Sequence, residues 1–128
     1  MASFIRQYKP GQVLFEEGAP SSSIFIIKKG AVSIRKVRGN TFVEVAKLQS
    51  NEVIGELSFF DRLPRSATAV ALIDVEATEI PFESMEKIYN NIPDYLKTIM
   101  AALADRLRKA NETIRMLQKQ QKLNSPPS

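Results

Sequence analysis

Two charged residues in the run Val53-Ile54-Gly55-Glu56-Leu57-Ser58-Phe59-Phe60-Asp61-Arg62-Leu63-Pro64-Arg65-Ser66-Ala67-Thr68-Ala69-Val70 stand in settings suited to chemistry. Arg65 lies between Pro64 and the small residues Ser66 and Ala67, and Glu56 directly follows Gly55. A guanidinium is always charged and its planar fork matches two oxygens of a phosphate, while Ser66 adds a hydroxyl and backbone donors. The apolar stretch after Glu56 predicts a single turn of helix. Its first N–H groups have no intrahelical partners and form a ready acceptor site for an anion. Glu56 would repel that anion unless the ligand also carries a hydroxyl, such as a ribose hydroxyl, that donates to the carboxylate. The competing expectation is a surface turn in which Glu56 and Arg65 pair with each other.

Gly55-Glu56-Leu57, followed by Pro64-Arg65 and Ser66-Ala67-Thr68, resembles the phosphate-binding cassette of cyclic nucleotide-binding domains. Pro64-Arg65 resembles the cassette of the kinase regulatory subunits of that family, and Arg65-Ser66-Ala67 that of its bacterial catabolite activators. The resemblance covers roughly residues 8–112 and implies that Glu56 binds the ribose 2′-hydroxyl and Arg65 the cyclic phosphate. It also implies that Ile34 and Val45 line the base pocket. Both are equally expected as core residues, since an adenine pocket is itself apolar.

The elements that must position these residues read as strands. Residues 12–15 form a short one after the turn Lys9-Pro10-Gly11, with residues 4–9 a lead-in. Residues 24–27 are a continuous β-branched and aromatic run, expected in a well-buried strand. Residues 31–37 and 42–48 alternate apolar with polar around Arg38-Gly39-Asn40-Thr41, predicting a hairpin with one face in and one out. Two more strands follow the cassette, residues 67–73 and 75–81. Seven or eight short strands at intervals of about ten residues, punctuated by Gly and Pro, predict a jelly-roll or double-stranded β-helix barrel rather than an alternating strand-helix fold. Gly11, Gly18, Gly30 and Gly39 fall where the chain reverses, and their spacing also resembles the first half of the same family's fold.

After Pro81 the period changes. Residues 82–89 read as a short helix with Met85, Ile88 and Tyr89 on one side, and Asn90-Asn91-Ile92-Pro93 breaks it. A long C-terminal helix then starts at Asp94. Leu96, Met100, Leu103, Leu107, Ala110, Ile114 and Leu117 recur at alternating spacings of four and three, a heptad seam that predicts a homodimer by parallel pairing. The alternative lays the seam on the helix's own barrel. The expected organisation is a mainly β domain with C-terminal helices over 1–112, a coiled-coil extension over 113–123 and a tail or linker over 124–128. Aligned on Pro93-Asp94 with the catabolite activators, Ala110-Asn111 falls where those proteins place two hydroxyl residues against adenine. Ala110 departs from that pattern, and Asn111 is the candidate for the base by virtue of its amide.

Composition narrows the class. The chain has 128 residues, 44% of them hydrophobic, enough for one domain with its own core. It contains no cysteine and no histidine, so a disulfide framework, thiolate chemistry and a histidine-based metal site are excluded. The beginning shows no basic stretch followed by a long apolar run, and no segment approaches about 18 apolar residues. A cytoplasmic protein without a membrane partner is expected. The net charge is +4, with Arg106, Arg108, Lys109, Arg115, Lys119 and Lys122 clustered late. Cations near a helix C-terminus complement its dipole. No helix-turn-helix pattern or interleaved aromatic residue follows them, so nucleic acid is not the expected partner.

The expected function is a regulatory module that binds a cyclic purine mononucleotide, cyclic AMP with cyclic GMP second, at Gly55, Glu56, Leu57, Arg65, Ser66 and Ala67, with Ile34, Val45 and Asn111 at the base. No cofactor and no catalysis are expected, because the cassette supplies neither a metal site nor a base beside an activated water. The family resemblance further implies that the ligand repositions the long helix. Alternatives are a small barrel phosphodiesterase or isomerase, and a coiled-coil scaffold with a ligand-free barrel. The output partner is expected on a longer chain or on a separate protein.

Overall fold

The computed structural model describes residues 3–124, in two compact units that divide between Asn91 and Ile92. The first unit carries eight strands and two helices. The strands are β1 (Phe4–Tyr8), β2 (Val13–Phe15), β3 (Ser23–Lys29), β4 (Val32–Arg38), β5 (Thr41–Leu48), β6 (Val53–Ile54), β7 (Thr68–Ala71) and β8 (Val75–Pro81). Helix α1 (Glu56–Asp61) lies between β6 and β7, and α2 (Phe82–Tyr89) follows β8. The strands form two antiparallel four-stranded sheets, ordered β1-β8-β3-β6 and β2-β7-β4-β5. This is the expected jelly-roll type of fold, with two sheets that do not close on each other into a hydrogen-bonded ring.

The continuous apolar run in β3 is explained by burial on both of its faces. Phe25 and Ile27 point into the core between the sheets with Val32, Ile54, Ala69, Ala71, Val75 and Ala77. Ile24, on the opposite face, packs with Phe59 of α1 and Phe82 of α2 in a second cluster that also takes in Phe60, Met85 and Tyr89. The Phe59 ring meets Phe60, Phe82 and Tyr89 edge-on at centroid separations of 5.2, 5.6 and 5.8 Å. Of the three residues expected on one side of α2, Ile88 is the exposed one. Gly30 has a specific reason to be glycine: at its φ of +102° a Cβ would lie 2.4 Å from the Asp74 carbonyl oxygen.

Two local expectations are corrected. Residues 4–9 are not a lead-in, because Phe4–Tyr8 form β1 and pair along the edge of β8 from Phe4↔Glu79 to Tyr8↔Val75. The β4–β5 hairpin exists, closed by Gly39 and Asn40, but β5 does not turn one face inward: it is an edge strand, exposed from Thr41 to Lys47. Its register also shifts. Ile34 pairs with Ala46 and Arg35 with Glu44, so Val45 is the extra residue of a bulge.

The second unit contains α3 (Asp94–Asn124), a single uninterrupted helix that carries the whole seam from Leu96 to Leu117. Asp105 pairs with Arg108 at 3.5 Å and Lys109 at 3.0 Å on its surface. The tail residues 125–128 lie outside the described residues. No helix among the described residues is long and apolar enough to cross a membrane.

Candidate anion-binding cleft

Gly55 sets the geometry. It caps α1 at φ 94° and ψ 10°, a left-handed conformation that glycine adopts without a Cβ penalty. That sharp turn brings the chain from β6 straight into α1, and Gly55 and Ser58 both line a small cleft. The cleft measures about 80 Å³ and is walled by Phe15, Ile34, Ile54, Gly55, Ser58, Arg65, Ser66 and Ala67. It has room for a phosphate group rather than a whole nucleotide.

Arg65 is the main electrostatic feature of that wall. Its backbone is held on both sides by the loop between β2 and β3: its N–H donates to the Ala19 carbonyl at 2.9 Å, and its own carbonyl accepts from Gly18 at 2.8 Å. The side chain is only 6% exposed. Nη2 donates to the Ser23 carbonyl at 2.8 Å, with a weaker contact to Ser23 Oγ at 3.5 Å. Nε and Nη1 are buried without a hydrogen-bond partner among the described residues. The guanidinium stacks on Phe15 at 4.3 Å and lies 5.8 Å from the Phe25 ring centre, an attraction that offsets part of the desolvation. Burial lowers the Arg65 pKa, and the negative charge of Glu79 works in the opposite direction. A buried donor left unpaired costs roughly 1–3 kcal/mol, and more when charged. Two such donors on a residue that lines the cleft favour an anion beside it.

The competing arrangement, in which Glu56 pairs with Arg65, does not occur among the described residues: Arg65 turns to Ser23, and Glu56, half-buried at the first position of α1, stays unpaired there. Gly55, Arg65, Ser66 and Ala67 meet at the cleft, with Ser66 exposed and Ala67 buried. Leu57 follows on α1, half-buried. Ile34 stands on the cleft wall, whereas Val45 is exposed in the β5 bulge and is not among the lining residues. Asn111 lies on α3, in the other unit.

Three participants escaped the sequence reading. Phe15 supplies the ring beneath the guanidinium, and Ser23 and Glu79 form a polar layer behind it. Ser23 Oγ donates to Glu79 Oε2 at 2.7 Å, and Arg6 Nε donates to Glu79 Oε1 at 2.9 Å. The signal for Glu79 was present. Val75, Ala77 and Glu79 alternate along β8, so the carboxylate falls on the face that Val75 and Ala77 bury. Arg62, at the C-cap of α1 with φ 58°, is a fourth: it lies over Phe59 at 5.2 Å and Phe82 at 4.8 Å and pairs with Glu86 of α2.

Two sheets around one apolar core, with a short glycine-capped helix and a buried arginine beside a small cleft, define a domain that binds an anionic small ligand. Residues 5–91 match the cyclic nucleotide-binding domain family, and the chain belongs to that family. It is 27% identical over 120 residues to the CRP-like cAMP-activated global transcriptional regulator of Mycobacterium tuberculosis, covering 89% of this chain and 54% of that protein. Its fold is similar to that of the catabolite activator protein of Thermus thermophilus, with a TM-score of 0.73, 28% identity and coverage of 91% of this chain and 55% of that one. It is also similar to cAMP-bound PfPKA-R, with a TM-score of 0.64, 30% identity and coverage of 68% and 31%. The chain spans about half the length of the curated relatives it matches. It is a cyclic nucleotide-binding regulatory domain, and the resemblance seen in the cassette holds.

Proposed function

We propose that the domain senses cyclic AMP, binding it without transforming it and passing the binding event to α3. The observation that carries this reading is Arg65: a buried cation with two unpartnered donors at the edge of a cleft of phosphate size. In this reading the cyclic phosphate meets Arg65, the backbone N–H groups after Gly55 and the Ser66 hydroxyl, and the ribose 2′-hydroxyl donates to Glu56. Ala67 shapes the wall, and Leu57 follows on α1. The purine extends beyond the cleft over Ile34, with Val45 as a further contact. The carboxylate of Glu56 is taken up by the sugar hydroxyl, so the phosphodiester meets donors rather than a general base. Cyclic AMP is favoured over cyclic GMP by the sequence likeness of the cassette to the catabolite activators and by the M. tuberculosis relative, whose name describes it as cAMP-activated.

The domain boundary is set at 112, with residues 113–123 extending α3 into a coiled coil between two copies. A ligand drives such a helix only as far as its differential affinity for the two arrangements allows. The protein acts in the cytoplasm, and its effector lies on a longer chain or on a partner.

Calorimetry of wild type and Arg65→Ala against cyclic AMP, with cyclic GMP in competition, tests the reading. Removing a charge-assisted contact should weaken cyclic AMP by about two to three decades. Unchanged affinity in Arg65→Ala would overturn the site, and cyclic GMP binding at least as tightly would overturn the choice of base.

A further inference from the structure

Behind Arg65 lies a line of alternating charge that neither the family match nor the cassette assigns. Glu79 stands on the inward face of β8, in register with Phe25 of β3 and Phe4 of β1. One carboxylate oxygen accepts from Ser23 Oγ at 2.7 Å and the other from Arg6 Nε at 2.9 Å. Ser23, 3% exposed, also presents its carbonyl to Arg65 Nη2 at 2.8 Å. Ser23 therefore touches the cation with its backbone and the carboxylate with its side chain. Arg6 is half-exposed on the edge strand and closes the line towards solvent.

A buried guanidinium whose hydrogen bonds go only to the carbonyl and, more weakly, the hydroxyl of one neutral serine needs negative charge nearby to remain favourable when the cleft is empty. Glu79 supplies it across Ser23 rather than by direct contact. We propose that Glu79 is the resident counter-charge of Arg65: it stabilises the cation in the unliganded domain and opposes the negative charge of the ligand's phosphate. The inference rests on the assignment of Arg65 to that phosphate. Glu79 is thus a positioning and affinity-setting residue that touches no ligand. Its field lowers the affinity below what Arg65 alone would give, and Arg6 moderates that field from the far side.

The sign of the effect separates this role from a merely structural one, since damage to the frame weakens binding. Glu79→Gln keeps the shape and removes the charge. Calorimetry with cyclic AMP should show it binding about threefold or more tightly than wild type, while the ligand-free protein melts at a lower temperature. Glu79→Asp should return the affinity towards wild type. Arg6→Ala, at an exposed position and so safe for folding, should act in the opposite direction and weaken binding about twofold. If wild type binds and Glu79→Gln binds equally or more weakly, the counter-charge role is wrong. Should Glu79→Gln fail to fold, Arg6→Ala decides: unchanged affinity there also overturns the role. A wild-type protein that binds neither cyclic AMP nor cyclic GMP overturns the ligand assignment and this inference with it.

Discussion

A Cβ placed on Gly55 would lie 2.5 Å from Nη1 of Arg65 and 3.2 Å from the Ser23 carbonyl oxygen. The glycine therefore does two things at once: it adopts the left-handed cap of α1, and it leaves the space that the guanidinium fills. Gly55→Ala should strain the cap and push Arg65 off Ser23, costing about 1–2 kcal/mol of stability and weakening cyclic AMP about tenfold. Denaturant melts and calorimetry on the same preparation measure both. Full affinity in a folded Gly55→Ala protein would show that Arg65 can bind phosphate from elsewhere.

Glu56 has no partner among the described residues, so its substitution tests the ligand contact cleanly. Glu56→Gln should weaken cyclic AMP by about tenfold or more, and the 2′-deoxy ligand should weaken wild type by a similar amount. Combined, the two losses should overlap. Simple additivity in this cycle would mean that the carboxylate and the hydroxyl do not meet.

Leu107 sits in the middle of the seam on α3. A lysine there would bury a charge in a paired-helix interface, so Leu107→Lys should yield monomers where wild type sediments as a dimer. A wild-type monomer at high concentration with ligand present would end the paired-helix model.

Tyr8 gives a prediction in pH. Burial pushes its phenol pKa up, the Glu79 charge adds to the rise, and Arg6 opposes it. The unfolded chain loses this proton at about pH 10, while the folded protein keeps it to higher pH. The unfolded state then binds fewer protons, so stability is complete below that pH and is lost as pH rises towards the folded value. Denaturant midpoints should fall more steeply above about pH 10 for wild type than for Tyr8→Phe. Equal slopes would remove Tyr8 from the account.

The cassette was legible because its demands are local. A glycine for a left-handed cap, an arginine directly after a proline and small residues beside it all stand within one short stretch of the chain. So were β3, β4 and the three helices, whose periods are strong. What escaped depends on pairing between distant segments. Phe4 to Tyr8 become a strand only through β8, some seventy residues away, and nothing in their own pattern announces it. The bulge at Val45 is a property of two strands in register, invisible in either alone. Alternation in β5 could not reveal that an edge strand has neither face covered. Glu79 was passed over because a charge on a strand is usually read as its wet side, although its parity with Val75 and Ala77 put it on the dry one.

Three successive residues of β3 face three different tasks: the Ser23 carbonyl grips Arg65, Ile24 seats α1 and α2, and Phe25 fills the space between the sheets. This unit therefore has no seam along which its recognition parts could loosen while its frame stays intact. Melting of residues 4–89 should therefore be a single cooperative event, and a ligand that tightens Arg65 against Ser23 should raise the protection of β3 amides from solvent exchange along with that of the helices resting on Ile24.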